Sequence, residues 1–452
     1  MKKVLKSIFA FMICFVSLLA FTACGNTNLS KTTNDTTGVV SNGGVSVTYN
    51  GYVYFINGTK TNNKDNNTGK LVQGAIYKAQ LDENGNVVKD SYERVVDRLV
   101  GFKNGQIFIF GDFLYYATPC RDKNKAGEML TGKTEFRRYD LKKNKDQLLY
   151  ISASSDDTLT YTYYKDGENL NLVVYEKTSA TLKSIRIGDK VQTLFTKENV
   201  KSAIFSDNAG ESKTELSLAD QYIFFTLSYE ENGEIQHGVR VYKIKADGTG
   251  EQKISEGESV TLLTIRAGRL VYSLDSYIYS AKITNGEDTL SFEIADVVCY
   301  KNYENILFLE DDANSVLVVD NDTLRTISWK NGTQESTIIT DFSNGDNVKF
   351  IGIDGDYLIY LYSKSVYKIK FKNATDDEMV ETKLSTTSID EASDLIAPEI
   401  NNGYVYGMYT DSSKKQTYLY RINLKTPAER GEKDDDGKDK EIYEAEFIGI
   451  KE

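Results

Sequence analysis

Histidine and proline are almost missing from this chain: 452 residues hold one His and three Pro, with one Trp and four Cys. The single imidazole, His237, excludes a His-Glu-x-x-His zinc site and any histidine-rich metal cluster. It lies in Glu234-Ile235-Gln236-His237-Gly238, read as a surface loop, and no Gly-x-Ser-x-Gly elbow exists to complete a hydrolase triad with it. An excess of positive charge is missing too. Lys and Arg number 54 against 66 Asp and Glu, a formal net charge of −12. That is the wrong sign for neutralising phosphates, so nucleic acid is excluded as a partner. No long segment has helical period; apolar residues come in short runs broken by Asn, Asp and Gly. Aromatic side chains, by contrast, are plentiful. The 31 Tyr and 20 Phe suit half-buried strands.

The chain begins Met1-Lys2-Lys3-Val4-Leu5-Lys6, runs apolar from Ser7 to Phe21, and reaches Thr22-Ala23-Cys24-Gly25. A basic start, a short apolar run and small residues at a cut site make a secretory signal rather than a membrane span. The cysteine at the cut resembles the lipobox of bacterial lipoproteins, which implies cleavage before Cys24 and attachment of a diacylglycerol to its sulfur. Residues 1–23 are then a signal peptide and 24–44 a lipidated tether, which places the protein on the extracytoplasmic face of the cell membrane. Gly25 to Gly44 is rich in Ser, Thr, Asn and Gly, a coil spanning on the order of 25 Å. Loss of Lys2, Lys3 and Lys6 makes the mature chain more acidic still, so lipid rather than surface charge holds the bilayer. With Cys14 removed and Cys24 acylated, only Cys120 and Cys299 are left; an exported location permits their pairing, and two separate thiols are the alternative.

Residues 45–452 repeat. One part is a strand of the type Gly51-Tyr52-Val53-Tyr54-Phe55, with counterparts at Asp112–Tyr116, Gln221–Phe225, Gly268–Tyr272, Glu304–Phe308, Asp356–Tyr360 and Gly403–Tyr406. The other pairs an aliphatic residue with Tyr and a base: Ile76-Tyr77-Lys78, Val241-Tyr242-Lys243, Val366-Tyr367-Lys368, Leu419-Tyr420-Arg421. A degenerate copy at Leu170 to Tyr175 brings the count to about eight. Copies start mostly about 45–60 residues apart, room for four short strands each, the spacing of a propeller blade; a pair of β-sandwiches is the alternative. The alternating segment Glu441–Ile448 is expected to close the ring against Val45–Tyr49. In these repeats the chain resembles bacterial surface lipoproteins with tyrosine-rich β-propeller repeats, loosely like the low-density-lipoprotein-receptor propellers. The resemblance implies an all-β propeller of seven to eight blades and an envelope location, and little about activity.

Few motifs point to chemistry. Gly127-Glu128-Met129-Leu130-Thr131-Gly132-Lys133-Thr134 fits a phosphate-binding P-loop, but polar residues precede it and the strand-like Glu135-Phe136-Arg137-Arg138-Tyr139 follows. Such a cradle works only between a buried strand and a helix N-terminus, so the match is read as chance. The acidic stretch Asp434–Asp439 lacks the terminal Glu of a calcium loop and reads as a solvated insertion. Acidic pairs at Asp156-Asp157, Glu230-Glu231, Asp311-Asp312 and Asp376-Asp377 stand in turn-like settings. The lone Trp329 is too few for the tryptophan docking of quinoprotein propellers. No cofactor or metal is called for.

The leading functional expectation is a membrane-anchored, non-enzymatic binding or scaffold module for a cell-envelope protein or glycan. The alternative is a propeller hydrolase or lyase acting on such a glycan or peptide. Tyr272 to Tyr279 and Tyr360 to Tyr367 mark tight hairpins, whereas Tyr54 to Tyr77 and Tyr115 to Tyr139 hold long insertions. Insertions at one repeat position project from one face, so the partner site is placed on Gly58–Gln73 and Thr118–Thr134. Arg121, Lys123, Lys125 and Lys133 of the second loop form a basic cluster on an acidic protein. Cys24→Ala is expected to shift the protein from membrane to medium or leave it unprocessed; a mature, membrane-bound variant on fractionation would refute acylation.

Overall fold

A computed structural model of the protein describes residues 40–450 as a ring of eight sheets, an all-β propeller. Outside the described residues lie 1–39, 42–43, 60–71, 101–104, 121–131, 156–157, 167–168, 189, 206–221, 232–233, 256–259, 267–268 and 276. So do 283–295, 300–302, 304, 310–314, 331–332, 363–364, 376–377, 385–392, 412–415, 425–427, 434–438, 443–444 and 451–452. Blades 1 to 8 span 46–96, 107–152, 159–197, 200–253, 261–299, 306–341, 348–383 and 393–448. Each holds four antiparallel strands in chain order, and the first strands of neighbouring blades approach one another around the axis. Blade 8 takes its fourth strand, Ala445–Ile448, after an inserted hairpin of Ala428–Lys433 and Asp439–Ile442. Blade 2 gains a fifth strand, Val40–Ser41, on its inner edge. Antiparallel order gathers the second-to-third connections and the blade-to-blade links on one face, here the upper; the other turns lie on the lower.

The tyrosine repeat is the second and third strands of a blade. Its second-strand part recurs in seven blades, with Leu170–Tyr175 inside Asn169–Glu176 of blade 3. In blade 6 the aromatic run Glu304–Phe308 belongs instead to the first strand, Ile306–Phe308; the second is the aliphatic Ser315–Asp320. In blades 1, 4, 5 and 7 the third-strand Tyr stands directly opposite a second-strand aromatic. Phe225 and Tyr242 stack at 5.4 Å, Tyr272 and Tyr279 at 5.5 Å, Tyr360 and Tyr367 at 5.7 Å. The base after that Tyr, or in blade 2 the Arg138 before it, reaches diagonally over the ring that opens the second strand. Lys78 lies over Tyr52, Arg138 over Phe113, Lys243 over Tyr222, Lys368 over Tyr357 and Arg421 over Tyr404, at 4.2–5.3 Å from the ring centres. Each such contact is worth about 0.5–2 kcal/mol, more where desolvated, as for Arg138 and Arg421.

Both faces of a blade are buried. In blade 7, Leu358 and Tyr360 pack with blade 6, while Ile359 and Leu361 pack with blade 8. Blade 5 does the same, Leu270 and Tyr272 toward blade 4 and Val271 toward blade 6. The period-2 geometry of a strand therefore serves two cores, and the strands read as continuous apolar runs.

Ring closure differs from the expectation. Ala445–Ile448 pairs with the third strand of its own blade, Leu419 opposite Ile448, and not with Val45–Tyr49; Ile442 belongs to the inserted hairpin. Blade 1 already has four strands of its own, so the C-terminal strand fills the outer edge of blade 8 instead. The seam between blades 8 and 1 is made by side chains. Glu399 accepts hydrogen bonds from the backbone N–H groups of Val45 and Ser46, both at 2.8 Å, and from Ser46 Oγ at 2.6 Å. Asn401 Nδ2 adds a bond to Ser46 Oγ at 3.1 Å. The carboxylate fills the space a Cβ would need on Gly44, so that turn requires glycine. Register shifts bracket Ile396, and Pro398, which has no N–H to give the ladder, lies in the irregular stretch that aims Glu399 at the seam.

Burial pushes the Glu399 carboxyl up to about 7 from its usual 4.5, against its three hydrogen bonds. A carboxyl raised in the folded state holds a proton that the unfolded chain has lost. Its stabilising contribution is complete below pH 4.5 and is lost as pH rises to about 7. Across that window unfolding free energy is expected to fall more steeply for wild type than for Glu399→Gln, by up to about 1.4 kcal/mol per pH unit. Parallel denaturation profiles of the two proteins would refute this.

Candidate functional site

The upper face of blades 1 and 2 carries the two long second-to-third connections, residues 57–75 and 120–133. Their tips, 60–71 and 121–131, lie outside the described residues, and Arg121, Lys123 and Lys125 with them. The bases are described. In blade 1, Asn57 N–H donates to Ala75 O at 2.9 Å and Gly74 N–H to Asn57 O at 2.7 Å, which carries the ladder into the loop. The Asn57 amide donates to Val72 O at 3.1 Å and Ile450 O at 3.0 Å, while its oxygen accepts from Ile450 N–H at 3.2 Å. Gln73 Nε2 reaches Thr417 O of blade 8 at 2.9 Å. Gly58, at φ +73°, lies so close to that same carbonyl that no Cβ fits. The first loop therefore rises from a base that also fastens blade 8 and the C-terminal end of the chain.

In blade 2 the Cys120 N–H donates to Lys133 O at 3.0 Å across the foot of the second loop. Thr118 Oγ1 donates to Leu99 O at 2.7 Å and Thr134 Oγ1 to Ser154 O at 2.9 Å, which pins both loop stems to neighbouring links. Lys133 is exposed at the foot, and Cys120 is a buried thiol beside it.

Below this stem lies a four-charge cluster. Arg98, from the link between blades 1 and 2, donates to Asp146 at 2.9 Å and Glu135 at 3.2 Å. Arg137 donates to the same two carboxylates, at 2.9 Å and 2.7 Å, and Tyr116 Oη to Asp146 at 2.8 Å. Burial and then the Asp146 charge hold the Tyr116 hydroxyl far above its usual range, so it stays a donor. Two guanidinium groups balance two carboxylates, and the cluster rivets the link that follows blade 1 to blade 2. A second one joins blades 2 and 3: Glu176 accepts from Ser152 at 2.6 Å and Lys183 at 3.1 Å. Burial raises its pKa, but these bonds outweigh burial and hold the carboxyl below its usual range.

Sequence reading found the loops and Lys133 but not the cluster. Its signal was the alternation Glu135-Phe136-Arg137-Arg138, which sends Glu135 and Arg137 to one face of a strand and Arg138 to the other. Arg98, in a linker, carries no such mark. The P-loop match leads from Gly132-Lys133 into the strand Thr134–Asp140 rather than a helix. His237 is not in a loop; it falls within the strand Glu234–Lys245 of blade 4. Of the acidic pairs, Glu230-Glu231 ends a strand of blade 4, and the other three lie outside the described residues. The acidic stretch at 434–438 also lies outside them, between the strands of the inserted hairpin. Among the described residues, no group of three or more His, Cys, Asp or Glu is placed to hold a metal ion.

No protein-family model and no curated protein matches the chain. Solved propeller structures do resemble it at low identity. Hsv2 of Kluyveromyces lactis is 12% identical over 75% of this chain and 94% of its own, with a TM-score of 0.38. An oligogalacturonate lyase solved with manganese is 14% identical over 77% of this chain and 82% of its own, TM-score 0.36. The β-propeller domain of the Trilobed protease from Pyrococcus furiosus is 9% identical over 84% and 93%, TM-score 0.34.

Arg98→Ala leaves Glu135 and Asp146 sharing one guanidinium. It is expected to cost roughly 1–3 kcal/mol of stability, since the site is only partly desolvated. An unchanged denaturation midpoint would show that the cluster does not fasten the link to blade 2.

Proposed function

We propose that this chain is a membrane-anchored extracytoplasmic lipoprotein acting as a non-enzymatic binding or scaffold module. Lipid on Cys24 holds it, and the upper face of blades 1 and 2 receives a cell-envelope protein or glycan. One observation carries the reading: two long connections rise side by side from hydrogen-bonded bases on adjoining blades. Long loops on a rigid scaffold are the usual carriers of recognition. Arg121, Lys123, Lys125 and Lys133 supply positive charge to the second loop of an acidic protein, which suits an acidic patch on the partner.

The alternative, a hydrolase or lyase of envelope glycans or peptides, needs two carboxyl groups free to reach one substrate bond. Glu135 and Asp146 share two arginines, Glu176 is held by Ser152 and Lys183, Glu381 accepts from Tyr360, and Glu399 closes the seam. These carboxyls are engaged in packing the ring, which favours the binding reading.

Shortening 60–71 and 121–131 to hairpin length is expected to abolish capture of envelope components while the domain melts as before. Unchanged capture by a folded variant would move the site off this face.

A further inference from the structure

The strand Val40–Ser41 tells how the chain enters the ring. It pairs antiparallel with the first strand of blade 2, Val40 opposite Ile109 and Ser41 opposite Phe108. That edge faces the axis, because the first strands of neighbouring blades surround it. The blade 2 strand, Ile107–Phe110, descends from the upper face, where it follows the link from blade 1, to the turn at Gly111-Asp112 on the lower face. The antiparallel partner therefore climbs. After it, Gly44 O accepts from Ile107 N–H at 2.9 Å near the upper rim, and Ser46–Tyr49 descends as the first strand of blade 1. Val40 stands one residue above the level of Phe110, so the preceding chain meets the ring at its lower face, beside the axis.

Val40 lies sixteen positions after Cys24. As a coil of that composition this stretch reaches about 20–25 Å, and at full extension about 55 Å. A route from the axis outward past four strands spaced about 4.8 Å, then up a seven-residue strand at about 3.3 Å per residue, already takes roughly 40 Å. Turning the upper face to the bilayer would stretch the tether to about three-quarters of its full length, well beyond its coil dimension and at a cost in chain entropy. With the lower face toward the bilayer the coil is relaxed.

We infer that the propeller is held lower face toward the lipid bilayer, its chain entering through the axis of the ring. The upper face of blades 1 and 2 is thereby presented away from the membrane. This rests on the reading of Cys24 as the lipid anchor. The partner on the upper face is then approached from the outside, in the envelope space or on a facing surface, and does not compete with membrane lipid for the loops.

The test uses the full chain with its processed N-terminus, in a Cys299→Ser background, on vesicles of phosphatidylethanolamine and phosphatidylglycerol with acceptor-labelled headgroups. A donor dye is placed at Lys143→Cys, in a lower-face turn of blade 2, or at Lys133→Cys, at its upper end; both positions are exposed. The two labels differ in height by roughly 20 Å, so transfer is expected to be at least about twofold stronger from position 143. Equal or stronger transfer from position 133 overturns the orientation. Failure of the processed protein to bind vesicles at all overturns the orientation together with the anchor. Oxidation of a Val40→Cys/Ile109→Cys variant in detergent reports the entry route by itself: a crosslink is expected, and its absence in a folded variant, shown by an unchanged melt, overturns entry through the axis.

Discussion

Everything in this fold depends on the blades being apolar on both faces. A sheet that buries one face can end in solvent; a sheet that buries two needs a neighbour on each side, and only a ring supplies one to every blade. The eighth blade must therefore meet the first. No strand of the described residues crosses that junction, which rests on the carboxylate of Glu399 and the amide of Asn401 gripping Val45 and Ser46. Arg421 extends the grip by donating to Gly85 O of blade 1 at 2.9 Å while its Nε holds Glu446 of the last strand at 2.7 Å. Phenolic Tyr404 joins the same Gly85 carbonyl at 3.3 Å. The apolar cluster beneath runs without a break from Tyr406 and Met408 through Val47 and Phe55 to Ile109 and Leu114, so blades 8, 1 and 2 share one core.

That shared core explains why the upper face is built where it is. The feet of both long loops stand on an interlocked part of the ring. Asn57 takes hold of Ile450, Gln73 of Thr417 and Thr118 of Leu99, while the Arg98 cluster ties the link after blade 1 to blade 2 below. Elsewhere the second-to-third connections are short, as at Asn321-Asp322 between Ser315–Asp320 and Thr323–Lys330. Length in a loop costs little, and a fixed base lets that length be used for contact rather than wasted in motion of the stem.

How much of this was legible follows from what each interaction demands of the sequence. A cross-strand stack such as Phe225 on Tyr242, with Lys243 over Tyr222, needs particular side chains at particular spacings, so the second and third strands announce themselves. Blade 6 hid because Val316 and Val318 do the same packing without an aromatic ring, and the nearby Phe308 drew attention to the wrong strand. The closing seam was illegible for a different reason. Glu399 binds backbone N–H groups, which every residue but proline possesses, at a separation of more than 350 residues. Nothing in Val45 or Ser46 advertises that role, and an alternating C-terminal segment suggested a strand where side-chain hydrogen bonds and a shared apolar core make the junction. The long loops were legible by length alone, and their common face followed from antiparallel order; the Arg98 cluster was not, since one of its members sits in a linker.

The same seam has a consequence in time. Contacts within a blade join residues a few dozen positions apart, so blades 1 to 7 can form in order as the chain is made. The grip of Glu399 on Ser46 joins positions separated by 353 residues, so the ring cannot latch until nearly all of the chain has been made. Until then the outward face of the newest blade and the waiting face of blade 1 are both open and apolar. The nascent protein is thus an unfinished arc with two adhesive ends, and its exposure to aggregation or to chaperones lasts as long as its synthesis does.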